Sequence, residues 1–359
     1  MKIHQLETFR TAVPLHTPFK TALRTVTVAE AIVVKLTCDN GIIGWGEAPP
    51  TVVITGESLS SIEHSIQQVI KPAIIGKNLL NHENLFQHLH SLLIMNTSAK
   101  AAVDMAIYDC LAQHCQLPLY QFLGGYRHEL ETDYTVSVNS PKEMGNDAAD
   151  YVNKGFDVLK VKVGKDEIET DIKRIHEIRQ RIGYDVKIRL DANQGWESKA
   201  AVRAIRKMED LDLNIELVEQ PVPAHDIEGL KRVTDEVETL IMADESVFTP
   251  YQAFEVLKSR SADLINIKLM KAGGIYQAQK INDLAEVCGV ECMVGSMIET
   301  RLGITAAAHF AASRKNVTRF DFDAPLMLAD DIVVGGIRYN GRRITMPTKA
   351  GLGIERVKV

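Results

Sequence analysis

Five charged residues recur along the second half of the chain at nearly regular intervals. In chain order they are Lys162, Asp191, Glu219, Asp244 and Lys268, with 24 to 29 positions between neighbours. That interval is about the length of one strand plus one helix, so the spacing predicts that all five lie on one rim of a parallel barrel. Three carboxylates between two lysines would form a metal site flanked by two bases. Because no His or Cys accompanies the carboxylates, the pattern favours Mg²⁺, or Mn²⁺, over zinc.

Two pairs of charged residues alternate along predicted strands. Lys160 and Lys162 lie two positions apart in KVKVG, and Asp321 and Asp323 do so in DFDAP. Side chains two apart on a strand point to the same face, which near a barrel rim is the interior. Two ammonium groups there need anionic partners, and two carboxylates need a cation. For the aspartates, pairing with Arg319 or capping of a turn is the structural alternative.

Each of these residues, taken alone, has an ordinary structural interpretation. Acids at strand ends often cap the following helix, and lysines on strands often protect sheet edges. The joint pattern is more specific, because an acid ends each of three consecutive predicted strands and a lysine lies in the strands before and after them.

Alternating β-like and helical segments must position the charged residues. We predict a (β/α)8-type barrel, an α/β fold, over residues 126–328. An open doubly wound sheet is the alternative, but no G-x-G-x-x-G motif follows any strand. The predicted strands are Tyr134–Val138, Val158–Val163, Val186–Leu190, Ile215–Val218, Leu240–Ala243, Leu264–Ile267, Cys292–Val294 and Val317–Phe320.

The first 125 residues have a different organisation. Two β-like runs, Ala31–Leu36 and Ile42–Trp45, are joined through Asn40-Gly41, a strong hairpin signal. Helical periodicity follows, and its last segment has a small-residue face. We therefore predict an α+β domain over residues 1–125. Residues 329–359 contain further β-like runs and are predicted to return to this domain. The predicted helices are Ser58–Ile74, His82–Leu93 and Ser98–Cys115.

Composition favours a globular protein that acts on small molecules. The 359 residues are 45% hydrophobic and 25% charged, which suits a sizeable core. A net charge of -6 with mixed signs disfavours a nucleic-acid partner. No apolar stretch suits a signal peptide or a membrane span, so we expect a cytoplasmic location and no membrane partner. The five cysteines lack CxxC spacing, which is typical of reduced thiols.

These residues resemble those of the enolase superfamily, in the subgroup of muconate lactonizing enzymes. The similarity covers essentially the whole chain, including the KxK strand and Lys268 in NIKLMKAGG. Within the subgroup the chain looks most like the dipeptide epimerases that act on L-Ala-D/L-Glu, through Arg24 in FKTALRT and the Asp321/Asp323 pair. The resemblance implies an N-terminal capping domain, Mg²⁺ held by the three carboxylates, and a role in murein peptide metabolism. We also expect a homo-oligomer.

The resemblance implies a reaction in which the proton α to a substrate carboxylate is removed and returned. Metal and Lys160 would stabilise the resulting enediolate. Lys162 and Lys268 would face each other across the α-carbon, so that proton removal on one face and return on the other inverts the centre. Each lysine must be neutral to act as a base, and we expect the cation and partial burial to lower its pKa.

Other reactions of the subgroup use the same pair of lysines. The alternatives are N-acylamino acid racemisation, o-succinylbenzoate synthesis and cycloisomerisation. A non-catalytic ligand-binding barrel is an alternative from a different class, although none of the expected ligands or bases is missing from this sequence.

The resemblance also implies how a dipeptide would bind. Asp321 and Asp323 would hold its ammonium group, and Arg24, in a predicted loop from Thr17 to Thr27, would hold the Glu side-chain carboxylate.

Further residues are expected near the pocket. Thr135 and Ser296 would bind substrate, with Glu299 as an additional site group. Asn193 and Glu245 neighbour the proposed ligands and would orient them. The Gly273-Gly274 pair lacks the spacing of a phosphate loop and is predicted to form a helix-start turn.

Overall fold

The computed structural model describes residues Met1 to Val359 and begins with a three-stranded antiparallel sheet. Its strands are β1 (Ile3–Lys20), β2 (Thr25–Cys38) and β3 (Ile43–Ala48). The loop predicted from Thr17 to Thr27 is wrong in extent, because β1 and β2 pair up to Lys20 and Thr25 and leave a short connection that ends at Arg24. The Asn40-Gly41 hairpin is confirmed, with Gly41 at a φ of 84°.

Five helices follow this sheet, and the longest packs on it through small residues. They are α1 (Leu59–His64), α2 (Lys71–Ile74), α3 (His82–Ser91), α4 (Thr97–His114) and α5 (Leu119–Phe122), with a π-helical turn at Ser65–Ile70. A Cβ atom on Gly46 would lie 1.9 Å from Ala102 O, and one on Gly44 would lie 2.1 Å from Ala106 O. The predicted small-residue face therefore lets α4 approach β3 closely.

A short strand, β4 (Glu129–Glu131), precedes an eight-stranded parallel sheet whose spatial order follows the chain. This sequential order confirms the barrel-type prediction and excludes a doubly wound sheet. The strands are β5 (Tyr134–Val136), β6 (Val158–Lys162), β7 (Lys187–Asp191), β8 (Ile215–Glu219), β9 (Leu240–Ala243), β10 (Leu264–Ile267), β11 (Glu291–Val294) and β12 (Val317–Phe320). The helices are α6 (Pro141–Asn153), α7 (Ile168–Ile182), α8 (Ser198–Asp210), α9 (Ile227–Glu236), α10 (Pro250–Ser259), α11 (Leu269–Ala272), α12 (Ile275–Val287) and α13 (Arg301–Ser313).

The sheet curls until its edge strands approach each other. Strand pairing runs from β5 to β12 without joining those two strands, but the Asp133 N–H donates to Phe320 O at 3.3 Å. The Phe322 N–H donates to Thr132 Oγ1 at 2.8 Å at the same seam. Inside the curl, four buried apolar side chains from β8 to β11 pack together, so the interior is filled: Leu217, Met242, Leu264 and Met293.

The C-terminal segment contacts both parts of the chain. After a 3-10 turn (Ala324–Met327) come β13 (Val333–Gly335), β14 (Arg338–Asn340), β15 (Arg343–Thr345) and β16 (Ile354–Val357). Strand β15 pairs with β4 below the barrel. The Leu119 N–H donates to Gly351 O, and the Leu352 N–H donates to Asp109 Oδ1 at 2.8 Å, which ties the tail to α5 and α4. The division at residues 125 and 328 stays a prediction about folding units.

No helix has the length and hydrophobicity required to cross a bilayer. All five cysteines are free thiols; Cys115 and Cys288 are exposed, and the other three are buried.

Candidate active site

The charged residues meet at the carboxyl ends of the barrel strands, as their spacing predicts. Lys162, Asp191 and Glu219 are the last residues of β6, β7 and β8 and lie side by side in register. Asp244 and Lys268 directly follow β9 and β10. All five side chains are buried. This is the rim on which barrel enzymes build their sites.

Lys160 lies at the centre of the cluster, with 1% of its surface exposed. Its Nζ is 2.8 Å from Glu219 Oε2, 3.2 Å from Asp191 Oδ2 and 2.8 Å from Asp321 Oδ2. Burial opposes the charge on Lys160, but Asp321, Glu219 and Asp191 together raise its pKa well above the ordinary value. One ammonium group therefore bridges two candidate metal ligands and one candidate substrate-binding carboxylate.

The two candidate bases are each paired with a candidate metal ligand. Lys162 Nζ lies 2.5 Å from Asp191 Oδ2, and Lys268 Nζ lies 2.6 Å from Asp244 Oδ2. Burial lowers the pKa of Lys268, but Asp244 and Glu219 outweigh it and raise that pKa above its ordinary value. In this arrangement the carboxylate charge is balanced by lysines alone, and the lowered pKa that is expected beside a bound cation stays a prediction.

The three candidate metal ligands have strongly shifted pKa values. Burial raises the pKa of Glu219 to about 7, with Asp191 adding to the effect. For Asp191, burial is outweighed by Lys162 and Lys160, and the pKa falls to about 2. Asp244 is likewise held below its ordinary pKa by Lys268 and Lys271 against the effect of burial. The cluster is thus an excess of negative charge that needs nearby cations.

The side chains present suit a hard divalent cation. No group of three or more Asp, Glu, His or Cys side chains is arranged as a formed metal site, since each of the three carboxylates turns to a lysine ammonium. Their donor atoms are nevertheless all carboxylate oxygens. Oxygen-only donors at neighbouring strand ends fit Mg²⁺ or Mn²⁺.

Asn193 and Glu245 lie beside the ligands as predicted. The Asn193 N–H donates to Asp191 Oδ1 at 2.9 Å, and its Nδ2 approaches Glu245 Oε1 at 3.4 Å. Glu245 Oε2 is buried without a partner, and burial together with Asp244 raises the Glu245 pKa to about 8.

The last strand contributes the predicted pair of aspartates. Asp321 pairs with Lys160, whereas Asp323 Oδ2 accepts from the Thr135 N–H at 2.6 Å and contacts no side-chain cation within salt-bridge distance. Burial, reinforced by Asp321, raises the pKa of Asp323 to about 7. The alternative of pairing with Arg319 is excluded, because that residue binds Glu216 and Glu291 instead.

Residues of the N-terminal sheet and of three barrel loops close the site. One cavity is lined by Arg24, Lys162, Lys268, Ser296 and both aspartates, together with Phe19, Leu23, Val53 and Ile298. Arg24 makes no salt bridge or side-chain hydrogen bond, and its burial lowers its pKa. Ser296 Oγ donates to Asp321 O at 3.3 Å. The structure therefore brings Arg24 to the barrel site from the other part of the chain.

Sequence reasoning missed two groups that contact the candidate ligands. Asn266 Nδ2 donates to Glu219 Oε1 at 2.8 Å. Lys271 Nζ lies 2.7 Å from Asp244 Oδ1 and donates to Val247 O at 3.0 Å. Asn266 could have been found from its alternation with Lys268 in NIKLMKAGG, but the inward turn of Lys271 in α11 has no comparable signal.

A larger cavity, about 540 Å³, lies at the opposite end of the barrel. It is lined by charged side chains, but these already pair with one another: Arg189 binds Asp133 and Glu216, and Arg319 binds Glu216. It also lies at the amino ends of the strands, whereas barrel enzymes carry their active sites at the carboxyl ends. We therefore place the candidate site at the smaller cavity.

Comparison with known proteins agrees with this geometry. Residues 3–124 match the family model of the mandelate racemase / muconate lactonizing enzyme N-terminal domain, and residues 143–357 match the enolase C-terminal domain-like model. The chain belongs to the enolase superfamily, in its mandelate racemase/muconate lactonizing enzyme branch.

Individual relatives narrow the class of enzyme. The L-Ala-D/L-Glu epimerase of Bacillus subtilis (strain 168) is 68% identical over 99% of this chain and 97% of its own. A substrate-liganded structure of the Bacillus subtilis epimerase superposes with a TM-score of 0.99 and 66% identity, covering 100% of both chains. A dipeptide epimerase from Enterococcus faecalis V583, complexed with Mg and L-Leu-L-Tyr, gives a TM-score of 0.96 at 45% identity, covering 99% of this chain and 100% of that one. This protein is an isomerase of the epimerase class.

Proposed function

We propose that the enzyme epimerises the dipeptide L-Ala-D/L-Glu at the α-carbon of its Glu residue. The observation that carries this proposal is the composition of one cavity, in which two lysines border a carboxylate cluster and Arg24 and Asp323 lack side-chain partners of opposite charge. A dipeptide with one ammonium group and an acidic side chain supplies both missing charges. The similarity to the Bacillus subtilis enzyme supports the same substrate.

The proposed chemistry is transfer of the α-proton between two lysines. Lys162 ends β6 and Lys268 follows β10, with three strands between them in the sheet. Both lysines line the same cavity, so a substrate α-carbon between them is accessible from two faces. The neutral lysine removes the proton, and the protonated one returns a proton to the other face. Lys160 places a positive charge where the substrate carboxylate gains electron density as the enediolate forms.

Asp191, Glu219 and Asp244 would hold a divalent cation, proposed to be Mg²⁺. When bound, such an ion supplies positive charge that acidifies the carbon acid and neutralises the carboxylate cluster. The two lysines then lose the partners that favour their charged forms, so each can reach the neutral state that a base needs.

The remaining residues position the substrate. Asp323, with a pKa raised to about 7 by burial and by Asp321, gains its counter-charge from the dipeptide ammonium group. Arg24 binds the Glu side-chain carboxylate, for which its planar guanidinium is suited. Thr135 and Ser296 hold the segment that follows β12, because the Thr135 N–H donates to Asp323 Oδ2 and Ser296 Oγ donates to Asp321 O.

Proton NMR in deuterated water tests this function. With enzyme and Mg²⁺, the Glu α-proton of L-Ala-D-Glu should exchange, and the L,L and L,D forms should interconvert. A parallel panel contains other dipeptides and N-succinylamino acids. Exchange only in the N-succinyl compounds would instead favour N-acylamino acid racemisation, and binding without exchange would favour a non-catalytic barrel. A cytoplasmic location, a homo-oligomer and a role in murein peptide metabolism accompany this proposal.

A further inference from the structure

Asp104 is a fully buried carboxylate on α4 that caps a helix in the other part of the chain. Its Oδ1 accepts from the Ile275 N–H at 2.6 Å, and its Oδ2 accepts from the Tyr276 N–H at 3.3 Å. These are the first two amides of α12, the helix that follows Lys268 and α11. A carboxylate satisfies the free amides of a helix start and complements its dipole.

Gly274 leaves the space that lets the Asp104 carboxylate reach the start of α12. A Cβ atom at Gly274 would lie 2.3 Å from Asp104 Cγ, and the residue has a φ of 117°. The predicted helix-start turn at Gly273-Gly274 is confirmed, but the second glycine also leaves the space that Asp104 fills.

Glu47 on β3 repeats the arrangement at the neighbouring helix. It is fully buried and accepts from the Thr300 N–H and the Gly303 N–H, both at 2.8 Å, and from Thr300 Oγ1 at 2.5 Å. These groups lie at the start of α13, which directly follows the loop that carries Ser296. A glycine leaves room here too: a Cβ atom at Gly303 would lie 2.3 Å from Glu299 Oε2 and 3.3 Å from Glu47 Oε2, so Gly303 accommodates two carboxylates.

Both capping carboxylates belong to one packed unit with Arg24. Arg24 immediately precedes β2, which pairs with β3 so that Val33 lies opposite Glu47. Strand β3 in turn packs on α4, which carries Asp104, through Gly44 and Gly46. Fixing Glu47 and Asp104 on two barrel helices therefore fixes the position of Arg24 over the barrel mouth.

We propose that Asp104 and Glu47 are positioning residues. By capping α12 and α13 they dock the N-terminal domain on the barrel, and this docking in turn holds Arg24 in register with the catalytic rim. The part that concerns Arg24 rests on the proposed function, because it assumes a substrate with a side-chain carboxylate. The docking of the N-terminal domain on α12 and α13 does not depend on the substrate.

Amide hydrogen exchange of the substrate-free protein tests the docking part. Asp104→Ala should accelerate exchange in residues 275–278 and Glu47→Ala in residues 300–304, each roughly tenfold, because the capped amides lose their acceptor. Asp226→Ala is the matched control: Asp226 caps α9 within the barrel and also faces a glycine, Gly229. It should affect only the start of α9.

Substrate selectivity tests the registration of Arg24. The ratio of kcat/KM for L-Ala-L-Glu to that for L-Ala-L-Gln should fall on the order of tenfold in Asp104→Ala and Glu47→Ala. It should stay unchanged in Asp226→Ala. Asp104→Asn keeps one acceptor oxygen and should recover most of the ratio. A purely structural role would reduce the amount of active enzyme and leave this ratio unchanged.

The outcomes separate the two proposals. Unchanged exchange at both helix starts would overturn the docking part, and a ratio that is unaffected, or that falls equally in Asp226→Ala, would overturn the registration. If the wild-type enzyme does not exchange the α-proton of Ala-Glu, the proposed function and the registration both fail, while hydrogen exchange still decides the docking.

Discussion

Replacing Gly274 by alanine should destabilise the protein in two ways, through an overlap with Asp104 and through backbone strain. The new Cβ would lie 2.3 Å from Asp104 Cγ, and relief of such an overlap costs about 1–3 kcal/mol. The backbone at Gly274, with a φ of 117° and a ψ of -174°, adds about 1–3 kcal/mol for a residue with a side chain. We therefore expect Gly274→Ala to lower the free energy of unfolding by about 2–6 kcal/mol.

A double-mutant cycle separates the two contributions. Asp104 Cγ, Cβ and Oδ1 all lie 2.3–2.4 Å from the new Cβ, so the background that removes the overlap is Asp104→Gly. In that background only the backbone strain remains, and Gly274→Ala should cost about 1–3 kcal/mol less than in the wild type. The assay is urea unfolding of the four proteins, followed by far-UV circular dichroism and by tryptophan fluorescence. The same cycle with Asp226→Ala, a distant cap, should be additive. Additivity with Asp104→Gly would refute the claim that the Asp104 side chain occupies the space above Gly274.

Three further outcomes are expected. Lys162→Ala and Lys268→Ala should each reduce epimerisation by about 10²–10⁴ while isothermal calorimetry still detects dipeptide binding; unchanged turnover in either variant would remove the two-lysine mechanism. Asp323→Asn should raise KM for L-Ala-L-Glu by roughly 10–100-fold, since a charge-assisted hydrogen bond to the ammonium group is lost, and an equal rise for an N-succinylamino acid would contradict that role. Burial lowers the pKa of His309 from 6.5 to about 3, so below pH 6.5 the unfolded chain binds a proton that the folded protein does not. Stability should therefore fall from pH 6.5 towards pH 3, and His309→Gln should show a smaller fall in urea titrations.

Sequence reasoning was most successful where local pattern and chemistry coincide. The ends of β6, β7 and β8 were predicted within a residue or two because polar residues follow short apolar runs, and parallel strands bring such ends to one rim. Strand β1 was missed, since only Ile3, Leu6 and Val13 are buried among its 18 residues and its polar positions do not alternate regularly. These residues form a strand because they pair with β2 from Ile3 to Lys20.

The charge state of the site could not be read from residue types. Burial alone would lower the pKa of Lys268, but its 2.6 Å contact with Asp244 raises that pKa. The sign depends on whether desolvation or a neighbouring charge is larger, and that balance is set by distances.

Which chemical groups reach the rim follows from the order of residues along the chain, because strand periodicity and strand-helix spacing are local properties. The surroundings of these groups depend instead on how distant parts of the chain pack together. Arg24, Glu47 and Asp104 lie more than a hundred residues before the barrel groups they approach, and no local pattern encodes those contacts. They arise because buried carboxylates and free helix amides must find partners somewhere in the folded chain, and packing determines which ones meet.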